Sequence, residues 1–66
     1  MINVVVNEVA RGFGGDTVAA LLREMELPVK GVAVAVNGEV VRRVDWPEHR
    51  LAEGDRVDVL TAAQGG

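Results

Sequence analysis

Only one segment of this chain has the apolar spacing of a helix, and this limits the folds that it can adopt. The segment follows Asp16 and Thr17, either of which can cap a helix. Its apolar residues recur at intervals of three and four, at Val18, Leu21, Leu22 and Met25. Pro28 is predicted to end the helix, because proline lacks an amide hydrogen and disfavours the helical conformation of the residue before it. One helix is therefore available to cover one face of a sheet.

The other regular segments have the two-residue alternation of strands. We predict strands at residues 2–7, 32–36 and 56–60, and a short returning strand at residues 8–11 that is followed by a glycine-rich loop, GFGGD. The dipeptide Asn37-Gly38 is a strong hairpin signal and leads to another short strand. Trp46-Pro47 is a candidate to open a single helical turn, and Trp46 is expected to close one end of the core.

The order strand, strand, helix, strand, short strand, strand resembles the ubiquitin-like β-grasp layout. This is an α+β fold in which one helix covers one face of a mixed sheet of four to five strands, with the first and last strands parallel in the middle. A chain of 66 residues buries only about 60% of its unfolded surface and supports one core. We expect one domain over residues 1–60 and a flexible C-terminal tail over residues 61–66 that ends in Gly-Gly.

The side chains of a self-sufficient active site are missing from the sequence. Cysteine and serine are both absent, which excludes Cys-His and Ser-His-Asp arrangements. The single histidine, His49, has Asp45 and Glu48 nearby but no second histidine or cysteine to complete a metal site. The segment GFGGDT precedes the helix but lacks the spacing and the lysine of a phosphate-binding loop. We expect no enzyme activity, no bound cofactor and no metal.

The charge and the hydropathy narrow the class of partner. The net charge is −3 and the arginines are dispersed, which argues against nucleic acid. No stretch approaches the 18 or so apolar residues of a membrane span. The N-terminal segment lacks the basic start of a secretory signal, so we expect a cytoplasmic protein. A basic protein surface is the most natural partner.

Strand alternation predicts which residues such a partner contacts. The residues predicted to face the helix are Val4, Val6, Val34, Val57 and Val59. The residues predicted to face away and to form a docking surface are Val5, Ala33, Ala35 and Leu60. An outer face this apolar is unusual in contact with water alone, although small apolar residues scattered on a sheet need no partner.

The C-terminal segment TAAQGG is the second feature that favours a protein partner. Fully extended it spans roughly 20 Å, at about 3.3 Å per residue. Gly65 and Gly66 carry no side chain that would obstruct entry into a deep pocket. We therefore expect Ala63, Gln64 and Gly65 to contact partners; a frayed chain end is the alternative.

Four segments resemble the sulfur carrier proteins of thiamine biosynthesis, the ThiS family: VAVNGEVVRR, the tryptophan after it, LAEGDRVDVL and the closing AAQGG. The resemblance covers essentially the whole chain. It implies that a separate adenylating enzyme of the ubiquitin-activating type uses ATP and Mg to adenylate the carboxylate of Gly66. A persulfide sulfur donor then converts this group to a thiocarboxylate, and thiazole synthase accepts the sulfur. The glycine-rich GFGG and the polar AAQ depart from the family pattern.

Two alternatives have the same general design. The small subunit of molybdopterin synthase is similar in fold and tail but is usually longer. A ubiquitin-like protein modifier, or a plain β-grasp interaction domain, belongs to a different class of function. In a protein modifier the Gly-Gly is conjugated to lysines, and in a plain interaction domain it is merely frayed.

Overall fold

The computed structural model describes residues 1–27 and 30–61. These residues form one five-stranded sheet and one helix, together with a 3-10 turn at Arg43–Asp45. In chain order the elements are β1 Ile2–Val6, β2 Val9–Phe13, α1 Val18–Glu24, β3 Val32–Val36, β4 Glu39–Val41 and β5 Arg56–Thr61. The strand order is β2-β1-β5-β3-β4. β1 and β5 are parallel, and the other pairs are antiparallel. The predicted mixed sheet, with parallel first and last strands and one helix, is confirmed.

Both hairpins turn through two residues with positive φ, which suits the twist of the flanking strands. Asn37 (φ 52°) and Gly38 (φ 86°) connect β3 to β4, as predicted. Asn7 (φ 49°) and Glu8 (φ 69°) connect β1 to β2. The predicted return strand at residues 8–11 is thus displaced, because Glu8 belongs to the turn and β2 runs from Val9 to Phe13.

The extension of β2 into the predicted glycine-rich loop has a cause in the core. Phe13 pairs with Ile2 across the sheet, and its side chain is only 1% exposed. Burial of this aromatic side chain stabilises the fold by more free energy than the weak strand preference of Gly12 costs. The loop therefore begins after Phe13.

The two ends of α1 have well-defined caps. The hydroxyl Oγ1 of Thr17 accepts a hydrogen bond from the amide of Ala20 at 3.1 Å, which confirms Thr17 as the N-cap. At the other end, the amide of Leu27 donates to the carbonyl of Leu22 at 3.1 Å, and Glu26 adopts a left-handed φ of 60°. This is a Schellman motif. The prediction that Pro28 ends the helix was wrong, since α1 ends at Glu24 through this turn, and Pro28 lies outside the described residues.

The core lies between the sheet and α1. All five residues predicted to face the helix are buried: Val4, Val6, Val34, Val57 and Val59. Trp46 is buried as predicted, and its Nε1 donates to the carbonyl of Val41 at 2.9 Å. The predicted helical turn lies before Trp46 rather than opening there. In the described part of the chain, no helix is long and apolar enough to cross a membrane.

Candidate functional site

The four strand residues predicted to line a docking surface all lie on the sheet face opposite α1. Leu60 is 70% exposed and Ala33 is exposed, whereas Val5 and Ala35 are half-buried. Their buried neighbours in sequence face the helix, so the predicted orientation agrees with the structure. Their contact with a partner stays a prediction.

The strand register brings only two of these residues together near the end of β5. Ala33 lies directly opposite Leu60, and with Gly31, Val32 and Thr61 they line a shallow pocket of about 310 Å³. We call this the β5-end pocket. It lies at the C-terminal end of β5, which residues 62–66 follow in sequence.

The other two predicted residues lie further back along the sheet, beside charged residues. Val5 pairs with Arg56, four residues before Leu60 and thus about 13 Å away along β5, at about 3.3 Å per residue. Ala35 lies opposite Asp58 on one side and Val40 on the other. The outer face is therefore not one continuous apolar patch.

Val40 is an outer-face residue that the sequence reasoning missed. It lies on the edge strand β4, and its side chain is 78% exposed. The signal in the sequence was the alternation of Val40 with the buried Val41, which requires opposite faces once residues 39–41 are recognised as a strand.

The end of β5 determines where the C-terminal segment begins. β5 includes Thr61, the first residue of the predicted tail, which pairs with Val32. Residues 62–66 lie outside the described residues. They include the predicted contact residues Ala63, Gln64 and Gly65, the predicted reactive Gly66, and all of the predicted flexible tail except Thr61.

The alternative sites considered from the sequence gain no support from the geometry. At the start of α1, the amide of Val18 donates to the carbonyl of His49 at 3.0 Å, and the amide of Ala19 to that of Trp46 at 3.1 Å. These amides are not available to a phosphate. Within residues 1–27 and 30–61, no group of three or more His, Cys, Asp or Glu side chains is placed to hold a metal ion.

Comparison with known proteins identifies the family. The model of the ThiS family matches residues 3–66. The chain belongs to the ThiS family. The sulfur carrier protein ThiS of Thermus thermophilus is 38% identical over 61 residues, which cover 92% of this chain and 95% of that protein. The sulfur carrier protein ThiS of Escherichia coli is 33% identical over 52 residues, 79% of each chain.

Solved structures of a ThiS protein share the fold. The crystal structure of the thiamine biosynthesis protein ThiS from Geobacter metallireducens superimposes with a TM-score of 0.83 at 29% identity, over 98% of this chain and all of that one. Its solution structure gives a TM-score of 0.81, over 98% of this chain and 88% of that one. The ubiquitin-like β-grasp fold is thereby confirmed.

Membership of the ThiS family determines the broad function. The chain is a sulfur carrier in thiamine biosynthesis, a small protein that works with partner enzymes. Family membership therefore supports this function over the two alternatives, the molybdopterin synthase subunit and the protein modifier.

Proposed function

We propose that the carboxylate of Gly66 carries the sulfur and that the β-grasp domain presents it to two enzymes in turn. In an adenylating enzyme of the ubiquitin-activating type, this carboxylate attacks the α-phosphate of Mg-ATP, and pyrophosphate leaves. The terminal sulfur of a persulfide donor then displaces AMP from the acyl-adenylate. Cleavage of the S–S bond by a thiol leaves a thiocarboxylate, which gives its sulfur to thiazole synthase.

The observation that supports this proposal is the composition of the domain interior. Within the described residues, no polar or charged side chain is buried. A carboxylate is a poor electrophile, and its activation needs desolvated, preorganised polar groups. The partner enzymes supply those groups, and this chain supplies the acyl group.

The reach of the C-terminal segment supports the same division of work. Five residues follow Thr61, so the carboxylate of Gly66 lies up to about 17 Å beyond β5 when the segment is extended. We propose that Ala63, Gln64 and Gly65 line the channel of the partner, while Leu60 and Ala33 dock on its surface. Val5 and Ala35 would contact only a partner that extends further across the outer face.

The docking role of the β5-end pocket follows from the cost of ordering the segment. Glycine loses more conformational freedom than any other residue when it is fixed. Contacts of the folded surface must offset that cost, and the contacts nearest to the segment do so with the least additional chain to order. Leu60, exposed beside Thr61, is the largest apolar side chain of the pocket.

We also propose that the cycle runs in the cytoplasm, where ATP is present and thiols are kept reduced. Purified chain incubated with the adenylating enzyme, Mg-ATP and a persulfide donor should gain a mass corresponding to one oxygen replaced by one sulfur. Intact-protein mass spectrometry measures this change. Deletion of Gly66 should abolish the change and leave the fold intact.

The matched control adds one glycine at either end of the chain. Because β1 and β5 are parallel, Met1 lies at the end of the sheet opposite to Thr61. A glycine added before Met1 should leave sulfur loading unchanged, whereas a glycine added after Gly66 should abolish thiazole formation. A Gly66-deleted chain that still supports thiazole formation would refute the proposal.

A further inference from the structure

The two sides of β5 are held by different kinds of hydrogen bond near its end. On the β3 side, the strand register continues to Thr61, which pairs with Val32. On the β1 side, the strand register ends where Val6 pairs with Val57. The amide of Asn7 still donates to the carbonyl of Val57 at 2.9 Å, and the chain then turns away into β2.

The side chain of Asn7 continues the pairing that its backbone leaves. Its Oδ1 accepts a hydrogen bond from the amide of Val59 at 2.8 Å, and its Nδ2 donates to the carbonyl of Val59 at 3.1 Å. A carboxamide offers the same donor and acceptor as a peptide group. The Asn7 side chain therefore acts as one further residue of β1 and holds both backbone groups of Val59.

We infer that Asn7 is a positioning residue for sulfur transfer. Its carboxamide fixes the last part of β5 and thereby the point from which the segment carrying Gly66 enters a partner. The inference rests on the proposed role of Gly66. Only six residues separate Val59 from Gly66, so a loosely held β5 end adds disorder that each partner must remove on binding.

Asparagine satisfies two separate requirements at position 7. The φ of 49° is a left-handed conformation, which glycine, asparagine and aspartate adopt most readily. The contact with Val59 requires both a donor and an acceptor. Glycine meets only the first requirement, and aspartate lacks the donor when it is ionised.

The second hairpin provides a matched control. Asn37 occupies the equivalent turn position with a φ of 52°, and its Oδ1 accepts from the amide of Arg56 at 3.0 Å. Its Nδ2 donates to Asp55 Oδ1 at 3.1 Å. Asn37→Gly and Asn7→Gly thus make the same chemical change at the same kind of turn, but at opposite ends of β5.

The first measurement needs no partner. Amide hydrogen exchange of Val59 should accelerate about tenfold in Asn7→Gly, the effect of losing about one net hydrogen bond, and should change less than about twofold in Asn37→Gly. Unchanged exchange at Val59 in Asn7→Gly would overturn the inference.

The second measurement is the steady-state adenylation of the full-length chain by the adenylating enzyme. Asn7→Gly should raise KM about five- to tenfold and leave kcat within about twofold, because the added ordering cost falls on binding. Asn37→Gly should leave both parameters within about twofold. Equal KM values for the two glycine variants would refute the positioning role, since loss of stability alone would affect both.

A third variant covers the case in which Asn7→Gly folds poorly. Asn7→Asp keeps the left-handed conformation and the acceptor for the Val59 amide, so its KM should lie between those of wild type and Asn7→Gly. A wild-type KM for Asn7→Asp would show that the bond from Nδ2 is unimportant and would overturn the inference. If the wild-type chain is not adenylated at all, the proposed role of Gly66 fails, and exchange at Val59 alone decides whether Asn7 holds β5.

Discussion

Two consecutive glycines before α1 have different surroundings, and this difference tests how the core closes. A Cβ atom at Gly15 would lie 2.8 Å from Cζ and 2.9 Å from Cε1 of Phe13, and 3.0 Å from Cβ of Ala20. A Cβ atom at Gly14 would have no neighbour within 4 Å. Neither glycine has a left-handed φ, so steric contact alone distinguishes them.

The expected cost follows from these distances. Carbon atoms attract best at about 3.5 to 4.0 Å, so the ring of Phe13 would have to move by roughly 0.7 Å. That ring is 1% exposed and belongs to the hydrophobic core cluster, so it has little room to move. Adding a methyl group to a well-packed site costs about 1 to 3 kcal/mol. Gly14→Ala should instead stabilise by about 0.4 to 1 kcal/mol, because it restricts only the unfolded chain.

Urea unfolding followed by the fluorescence of Trp46 measures both variants against wild type, and Trp46 is the only tryptophan. The difference between Gly15→Ala and Gly14→Ala should be about 1.4 to 4 kcal/mol. A domain of this size is stable by roughly 3 to 10 kcal/mol, so Gly15→Ala should be visibly destabilised. Equal unfolding free energies for the two alanine variants would refute the reasoning.

A double-mutant cycle identifies the clashing partner. Phe13→Leu removes the ring atoms that a Cβ at Gly15 would meet. In the Phe13→Leu background, Gly15→Ala should therefore cost at least about 1 kcal/mol less than in wild type. An unchanged cost in that background would assign the clash to Ala20 instead.

Two further predictions concern the outer face and the core. Leu60→Asp should leave the unfolding transition unchanged and weaken binding to the adenylating enzyme by at least about tenfold, measured by calorimetry. Val5→Asp should weaken this binding less. Native affinity for Leu60→Asp would exclude this docking surface. Trp46→Phe removes the hydrogen bond from Nε1 to the carbonyl of Val41. It should lower the unfolding free energy by about 0.5 to 1.5 kcal/mol, measured by circular dichroism in urea; unchanged stability would mean that this bond makes no net contribution.

The architecture could be predicted because its signals are local. The alternation in residues 32–36 and 56–60 is strict enough to assign each valine to a face, and those assignments are confirmed at Val34, Val57 and Val59. The hairpin at Asn37 follows from two residues that tolerate positive φ. Each of these signals needs only a few neighbouring residues.

The errors arose where distant residues decide the local structure. Glu8 adopts a φ of 69°, which its own sequence does not favour, because β1 and β2 pair from Val6 and Val9 onward. Phe13 belongs to β2 because it pairs with Ile2. Neither pairing has a signal within the segment concerned. The end of the helix is a different case, because the amides of Glu26 and Leu27 close it through local hydrogen bonds rather than through a proline.

The outer face illustrates the same limit and has a functional consequence. The sequence indicated which residues face outward, but only the register shows that Arg56 and Asp58 lie beside Val5 and Ala35. The apolar surface nearest to the C-terminal segment is therefore small and centred on Leu60. In the proposed cycle, both enzymes must bind Gly66 through five residues that start at this point, so both footprints include the β5-end pocket. The two enzymes should consequently compete for one carrier, and the sulfur-loaded carrier must leave the first before it binds the second.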